Sequence, residues 1–212
     1  MKKYDYFLLD WDGNLAKTLD IWLEACRAPL EKRELTLTDE QIAAMFGGVI
    51  KQLRLWGIAD PETIFDEMDV IAKRKLPDVE LYPDALEVLE GLRAAHKKLA
   101  LITTSLHENI DHLLEKYSLA PYFDVVIAGD DVKQHKPDPE PLERALKILG
   151  ADKGRAVMIG DSDKDIRAAK NTGIDSILFY PPEHRKFYHL ASLKQLRPTY
   201  IVEDFRDILE AL

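Results

Sequence analysis

The chain of 212 residues lacks several features that would assign it to a specialised class of protein. It has a single cysteine, Cys26, so no internal disulfide can form, which fits a reducing compartment. No apolar run approaches the ~20 residues that a helix needs to cross a bilayer. The N-terminal residues, MKKYDYFLLDWDG, are interrupted by acids too early for a signal peptide. We therefore expect a cytoplasmic protein without a membrane segment.

An excess of positive charge is also missing. The formal net charge is −9, which argues against nucleic acid or an anionic membrane as the main partner. An anionic ligand would have to be attracted by local cations rather than by the field of the whole molecule. The length suits one good-sized domain, or a core domain with a smaller domain inserted into it.

The first strongly patterned stretch is YDYFLLDWDGNLAKT, residues 4 to 18. An apolar run leads into Asp10, and Asp12 and Gly13 follow. Carboxylates at the end of a buried strand are costly unless a cation neutralises them. Side chains two residues apart in an extended chain point the same way, so Asp10 and Asp12 can address one site. The stretch fits either an ordinary Asp-Gly turn or one part of a cation site. The two interpretations are distinguished by whether the rest of the chain supplies the other groups that such a site needs.

Residues 1–14 and 84–212 predict an α/β core. Short apolar runs alternate there with amphipathic helical patterns, which is typical of a parallel sheet covered by helices on both faces, a Rossmann-like architecture. The predicted strands after the first are Leu99–Ile102, Val125–Ala128, Ala156–Ile159, Ile177–Phe179 and Tyr200–Val202.

Residues 15–83 contain no convincing strand and predict a small helical domain inserted after the first strand. A capping box begins at Thr38, and Asp60 followed by proline predicts another helix start. Apolar residues recur at helical spacing across the segment. We interpret one such set as the core of this domain: Trp22, Leu23, Met45, Phe46 and Met68.

Several predicted strands run out into small polar or acidic residues, namely Asp10, Thr103, Asp130 and Asp161. In an open parallel sheet, ligands bind beyond the carboxyl ends of the strands, where the strand order reverses. We therefore expect these residues to converge on one crevice.

Two further acids and a lysine support a cation site in that crevice. Asp161 and Asp165 lie four residues apart at a predicted helix start, where acids also occur simply because the helix dipole favours them. A cation shared with Asp10 explains the cluster better. Ligands that are all oxygen, without histidine or cysteine, favour Mg²⁺. Lys136 lies in a proline-rich stretch, so it is expected on a stiff loop where it would balance the carboxylate charge.

These pieces together resemble the haloacid dehalogenase (HAD) superfamily, and specifically its phosphoglycolate phosphatase-like members with a helical cap. The resemblance covers nearly the whole chain. The family's four motifs are matched, in order, by Asp10-Trp11-Asp12-Gly13-Asn14-Leu15, by Thr103, by Lys136, and by Gly160 with Asp161 and Asp165. Each motif alone is weak, whereas all four at strand ends are a strong signal.

The resemblance implies a Mg²⁺-dependent phosphatase of small phosphate monoesters. Asp10 would attack phosphorus and form an aspartyl-phosphate, while Asp12 would act as general acid and then as general base. Asp10, Asp161 and the backbone carbonyl of Asp12 would bind Mg²⁺, and Asp165 would orient the metal site. Four further residues would hold the phosphoryl oxygens: Thr103, Lys136, Gly13 and Thr104.

The helical domain is similar to the cap that closes over small substrates in this family. Lys51 and Arg54, beyond the Gly47-Gly48 break, are its candidate substrate contacts, although solvated surface residues are the commoner case. The chain departs from the family at Asn14, where threonine is usual. That position supports the loop rather than the chemistry.

Two alternatives stay open at this point. A phosphomutase of the same superfamily would use the same aspartyl-phosphate, and a non-catalytic metabolite-binding protein would keep only the fold. The second is disfavoured because Asp10, Asp12 and Asp161 are all present. A dehalogenase is disfavoured because carbon–halogen cleavage has no need of Asp12. The expected partner is a small phosphorylated metabolite, and the sequence leaves open a monomer or a homodimer.

Overall fold

The computed structural model describes residues 1–212, and its centre is a six-stranded sheet in which all neighbouring strands are parallel. The order across the sheet is 3-2-1-4-5-6 in chain numbering. This confirms the predicted α/β fold. The strands are β1 (Tyr6–Leu9), β2 (Lys98–Ile102), β3 (Val125–Ile127), β4 (Ala156–Gly160), β5 (Asp175–Phe179) and β6 (Tyr200–Val202).

Strand β1 is central because its residues are apolar on both faces. Phe7 and Leu9 pack into the larger apolar cluster on one face, whereas Leu8 packs into a second cluster on the other. Helices cover both faces of a parallel sheet, so neither side of the strand meets water. This double burial explains the continuous apolar run in the sequence.

The chain reverses direction across the sheet between β1 and β4. It passes from β1 outward to β3, and then returns to place β4 on the other side of β1. Leu9 pairs with Ile159 at the carboxyl ends of these strands, and the Asp10 amide donates to the Ile159 carbonyl at 2.9 Å. The next residues along each strand therefore meet at the position where open α/β sheets bind ligands.

Nine helices complete the fold, and four of them lie in the segment between β1 and β2 that was predicted to be helical. None of the nine has the length and hydropathy that a membrane-crossing helix requires. The helices are α1 (Leu19–Glu31), α2 (Asp39–Ala43), α3 (Val49–Leu55), α4 (Pro61–Lys75), α5 (Ala85–Ala94), α6 (His107–Lys116), α7 (Glu140–Leu149), α8 (Asp163–Thr172) and α9 (Leu190–Gln195).

Helices α1 to α4 bury an apolar cluster of their own, separate from the two clusters of the sheet. Leu23, Met45 and Met68 lie in it and Phe46 packs against it, as the sequence pattern predicted. Trp22 does not, because it lies on a different face of α1. Its ring packs against a small cluster formed by Ala25, Ala72 and Leu76. We call this four-helix unit the cap.

Two linkers join the cap to the sheet. The Tyr82 amide donates to the Leu15 carbonyl at 2.9 Å, and Ala16 forms an isolated bridge with Leu81. Leu15 and Tyr82 are buried in the larger cluster of the sheet. The linkers therefore run side by side, and the domain limits at residues 15 and 83 remain a prediction.

A segment that follows β5 makes a third connection. We call residues 182–189 the strap; its first part, Pro182–Lys186, is a 3₁₀ helix. Phe187 is buried in the apolar cluster of the cap. Lys186 pairs with Asp20 on α1, and His189 pairs with Glu40 on α2 at 2.9 Å. No pattern in the sequence indicates that this segment reaches the cap.

Candidate active site

Three carboxylates and one ammonium group meet beyond the carboxyl ends of β1 and β4. Carboxylate oxygens of Asp10, Asp161 and Asp165 lie within 4.8 Å of one another, and all three residues are buried. The Lys136 ammonium group lies 2.7 Å from Asp10 Oδ1 and 2.7 Å from Asp165 Oδ1. Residues from three distant parts of the sequence thus form one charged cluster.

Lys136 is held in this cluster by two hydrogen bonds and one further ion pair. It donates to Asp165 Oδ1 at 2.7 Å and to the Ile102 carbonyl at 3.1 Å, and it pairs with Asp10 Oδ1 at 2.7 Å. The predicted contact between Lys136 and a phosphoryl oxygen stays a prediction. Its observed partners instead fit the charge-balancing role.

Burial without a full set of counter-charges shifts the pKa values in the cluster. Burial raises the pKa of Asp10 to about 8, against the opposing effect of Lys136. Burial and the neighbouring charges of Asp165 and Asp10 also hold the pKa of Asp161 well above its usual value. For Asp165, burial is outweighed by Lys136 and Ser162, which lower its pKa. One ammonium group is therefore enough for one carboxylate but not for three.

The donor set fits a hard cation. Asp161 Oδ2 is buried and has no hydrogen-bond partner. Burying an unpaired oxygen destabilises the fold unless a bound ligand interacts with that oxygen. Gly13, at φ +66°, leaves the space beside that oxygen open, because a Cβ there would lie 2.3 Å from it. Carboxylate oxygens without nitrogen or sulfur ligands suit Mg²⁺. Asp10 and Asp161 are therefore the side chains best placed to hold it.

Asp165 differs from the other two carboxylates because the protein already satisfies it. Its Oδ2 accepts from the Ser162 hydroxyl at 2.7 Å and from the Ser162 amide at 3.2 Å. Its Oδ1 accepts from Lys136. A carboxylate with these partners orients its neighbours more readily than it binds an ion, in keeping with the role that the sequence suggested.

Asp12 lies next to the cluster but not within it. Its Oδ1 accepts from the indole N–H of Trp22 at 3.0 Å, and its Oδ2 accepts from the Ser105 hydroxyl at 3.1 Å. The side chain is thus free of the buried cluster, as a proton-transfer group must be. Its predicted contact with Mg²⁺ through the backbone carbonyl remains a prediction.

The end of β2 supplies the remaining core residues. Thr103 is buried, and its hydroxyl accepts from the Ser105 amide at 3.1 Å. This bond shapes the loop that carries Thr104 and Ser105. By contrast, Asp130 at the end of β3 does not join the crevice, because it accepts from the His107 amide at the start of α6 at 3.1 Å.

Asn14, the departure in the first motif, supports the loop. Its side-chain amide donates to the Asp10 carbonyl at 3.0 Å. Its carbonyl oxygen Oδ1 is buried without a partner. The residue therefore braces the backbone that carries Asp10 and does not contact the charged cluster.

The cap reaches the site through Gly47. A Cβ at this glycine would lie 3.6 Å from Thr104 Oγ1 and 3.7 Å from Lys164 Cδ, so the backbone after α2 roofs the crevice. Neither Lys51 nor Arg54 makes a hydrogen bond or ion pair with the core. Arg54 pairs with Glu62 on the cap surface, and Lys51 is exposed. Their predicted contact with substrate stays a prediction.

Trp22, Ser105 and Tyr188 line the site but were not identified from the sequence. Tyr188, from the strap, lies beside Asp161, whose charge together with burial raises the pKa of the tyrosine. No spacing links Tyr188 to the motifs. Ser105 follows Thr103 at the interval that places two side chains on one side of an extended loop, and that signal was available.

The fold and the site together define a hydrolase of the HAD type, and the sequence comparison agrees. Residues 7–179 match the family model described as haloacid dehalogenase-like hydrolase. The chain belongs to this family.

Similar proteins include enzymes that act on phosphate compounds. A pyrophosphatase PpaX from Halalkalibacterium halodurans is 35% identical over 132 residues, 62% of this chain and 60% of that protein. A phosphoglycolate phosphatase from Aquifex aeolicus is 30% identical over 178 residues, 81% of this chain and 82% of that protein. The match thus spans about three fifths of the length of the first of these relatives.

Among solved structures, a haloacid dehalogenase-like hydrolase from Bacteroides fragilis has a TM-score of 0.85 at 26% identity. The superposition covers 97% of this chain and all of that one (100%). Cap and core are therefore both similar to those of a member of the family.

Proposed function

We propose that the protein is a Mg²⁺-dependent phosphatase that hydrolyses small phosphate monoesters through an aspartyl-phosphate on Asp10. The observation that carries the proposal is the buried cluster in which Asp10 lies between Lys136 and the incompletely satisfied Asp161. The names of the pyrophosphatase and phosphoglycolate phosphatase relatives support the substrate class.

Asp10 is suited to be the nucleophile because its orientation is fixed. Its Oδ1 accepts from the Trp11 amide at 2.8 Å and forms an ion pair with Lys136. The other oxygen, Oδ2, is then the one that attacks phosphorus. The new Oδ2–P bond forms as the bond from phosphorus to the ester oxygen breaks. Splitting the hydrolysis into two steps replaces one difficult reaction with two easier ones.

Asp12 is suited to move the proton. It lies outside the buried cluster and two residues beyond Asp10, so it can address the leaving oxygen. It gives a proton to that oxygen in the first step, and it takes one from water when the aspartyl-phosphate is hydrolysed. General acid–base help of this kind contributes about 10²–10⁴-fold to the rate.

The remaining stabilisation of the transition state for phosphoryl transfer is electrostatic. Asp10, Asp161 and the Asp12 carbonyl would hold Mg²⁺, which when bound offsets the repulsion between the carboxylate and the anionic phosphoryl group. Lys136 restrains Asp10 and Asp165, and Ser162 restrains Asp165. The hydroxyls of Thr103 and Thr104 and the Gly13 backbone line the position that the phosphoryl oxygens would take.

The cap favours small substrates. Gly47 lies over Thr104 and Lys164, so little room separates the cap from the strand ends. A short ester such as phosphoglycolate, a sugar phosphate or pyrophosphate suits this enclosure better than a phosphorylated protein. The enclosure also limits access of water to the reacting groups. A cytoplasmic location agrees with such substrates and stays a prediction.

The test is phosphate release from a panel of small phosphate esters and pyrophosphate, with and without Mg²⁺. We expect wild-type release to depend on Mg²⁺ and to be lost in Asp10→Asn. Asp163→Asn is the matched control, since Asp163 is a nearby acid that pairs with Arg167 at 3.1 Å outside the cluster. No release from any compound would contradict a phosphatase. Isomerisation of a hexose phosphate that requires a hexose bisphosphate would indicate the phosphomutase instead.

A further inference from the structure

Each carboxylate oxygen of Asp12 accepts one hydrogen bond. The Trp22 indole N–H is 3.0 Å from Oδ1, and the Ser105 hydroxyl is 3.1 Å from Oδ2. The carboxylate is only partly buried, so burial alone does not hold it in place. These two bonds define its orientation.

The two donors belong to different parts of the molecule. Trp22 lies in the first turn of α1, in the cap, and its ring packs against the Ala25, Ala72 and Leu76 cluster between α1 and α4. Ser105 follows β2 and belongs to the sheet domain. Asp12 itself lies on the turn between β1 and α1. Its side chain is therefore correctly held only when the cap is seated on the core.

The donors also differ in chemistry. An indole N–H can only donate, so the Asp12 oxygen that faces Trp22 can only accept. A serine hydroxyl donates or accepts, and it can rotate to suit either state of its partner. Oδ2 can therefore carry a proton, with Ser105 as acceptor, and can lose it, with Ser105 as donor. A proton on Oδ1 would weaken the bond from Trp22, because a carboxyl O–H oxygen is a poorer acceptor than an ionised or carbonyl oxygen.

We propose that Trp22 is a positioning residue that fixes Asp12 Oδ1 as a permanent acceptor, so that Oδ2 is the oxygen that exchanges the proton during phosphoryl transfer. The inference rests on the proposed phosphatase function. In the first step the proton passes from Oδ2 to the leaving ester oxygen as the bond from that oxygen to phosphorus breaks. In the second step Oδ2 receives a proton from the attacking water. The proton on Oδ2 points at the ester oxygen when it is transferred, and the Ser105 hydroxyl rotates to suit each state of Oδ2.

The test compares two esters that differ in their need for an acid. Phosphoglycolate has an alkoxide leaving group that requires protonation, whereas p-nitrophenolate leaves without it. We expect Trp22→Phe to lower kcat/KM for phosphoglycolate about 10-fold, part of the 10²–10⁴-fold that acid–base catalysis contributes. For p-nitrophenyl phosphate the loss should stay within about 2-fold. The ratio kcat/KM is used because it covers the steps from free enzyme and substrate through the first phosphoryl transfer and excludes hydrolysis of the aspartyl-phosphate.

Two matched variants separate positioning from packing. Trp56→Phe removes an exposed indole elsewhere in the cap and should change neither ester. Ser105→Ala should reproduce the selective loss of activity toward phosphoglycolate. Ser105→Thr keeps a hydroxyl and should retain the wild-type activity toward that ester. The Ser105 pair also serves where Trp22→Phe does not fold.

A solution measurement is independent of turnover. The indole N–H resonance of Trp22, assigned with the Trp22→Phe variant, should move upfield in Asp12→Asn because a neutral amide replaces a charged acceptor. Equal losses for the two esters, or an unmoved resonance, would overturn the role of Trp22. Absence of turnover by the wild type would instead overturn the proposed phosphatase, so the two failures are distinguishable.

Discussion

At the scale of single residues, Asp161 is a buried carboxylate that the protein does not fully satisfy. Its carboxylate is buried next to Asp10 and Asp165, and its Oδ2 has no partner in the protein. Asp161→Asn should therefore stabilise the metal-free protein, on the order of 1–3 kcal/mol, because it removes a buried like charge. The same change should abolish phosphate release and the stabilisation of the protein by added Mg²⁺. Urea unfolding with and without Mg²⁺ measures both effects.

Asp163→Asn controls for the loss of one negative charge near α8. It should leave the metal-free stability within about 0.5 kcal/mol, as surface changes usually do, and should retain the response to Mg²⁺. A less stable Asp161→Asn protein would contradict the interpretation, since it would mean that the carboxylate is already satisfied without a cation.

The sequence could predict these charged residues but not their neighbours. Asp10 and Asp161 were identifiable because they follow apolar strands, Asp165 because it lies near Asp161 at a helix start, and Lys136 because it lies in a proline-rich stretch. Trp22 was assigned to the cap core because an analysis of helical spacing treats the whole tryptophan side chain as apolar. An indole has an apolar body and one polar N–H, and spacing alone does not reveal that the N–H reaches Asp12.

At the scale of secondary-structure elements, the strap is a connection between the sheet domain and the cap in addition to the two linkers. Phe187 is buried in the cap cluster, although its segment belongs to the sheet domain. Phe187→Ala should cost about 3–5 kcal/mol if the cavity does not collapse, which is the usual range for a buried phenylalanine. The loss should be concentrated in the cap. We expect faster amide hydrogen exchange in α1 and α2 than in the sheet, measured by mass spectrometry.

Leu193→Ala is the matched control for the strap. Leu193 is buried beside Ile166 and Leu178, in a cluster of the sheet domain that contains no residue of α1 to α4. It should lower stability without selectively raising exchange in the cap. Equal exchange of cap and sheet amides in Phe187→Ala would show that the strap does not fasten the cap.

The strap is an element whose structure and contacts with the cap could not be predicted from the sequence. The sheet strands were predictable because each is a continuous apolar run bounded by polar residues. The strap is a five-residue 3₁₀ helix followed by an extended turn, and it has no such periodicity. Its contacts with Asp20 and Glu40 join residues more than 140 positions apart, so nothing local in the sequence encodes them.

At the scale of the whole molecule, the dependence of stability on pH combines two opposite contributions. Burial and nearby charges raise the pKa of Asp10 and of Asp161, so in the metal-free protein these groups favour the folded state increasingly as pH falls. Burial lowers the pKa of His184 to about 3. The folded state therefore resists protonation of this histidine, while the unfolded chain takes up a proton near pH 6.5.

His184 should therefore destabilise the fold in acid. The ring is buried where β5, the strap and a cap linker meet, and its Nε2 lies 2.7 Å from the Tyr82 hydroxyl. The contribution of the neutral His184 ring to the free energy of unfolding is fully present above about pH 6.5. It is lost as the pH falls toward 3, at up to about 1.4 kcal/mol per pH unit. His184→Phe keeps a ring and removes the titration. The variant should be less stable than the wild type at pH 7, because Tyr82 loses its partner.

The difference in free energy of unfolding between the wild type and His184→Phe should then decrease by about 2 kcal/mol between pH 6.5 and 5. Only the wild type loses stability over this range, because its histidine stays neutral in the folded state and is protonated in the unfolded state. Urea unfolding of the metal-free proteins at several pH values measures this difference, and the carboxylates, common to both, cancel. His112→Phe, at an exposed position on α6, should run parallel to the wild type. Parallel curves for His184→Phe as well would mean that His184 titrates normally in the fold. A smaller difference at low pH would instead show that the neutral His184, buried at the junction of sheet, strap and cap linker, makes the fold less stable in acid.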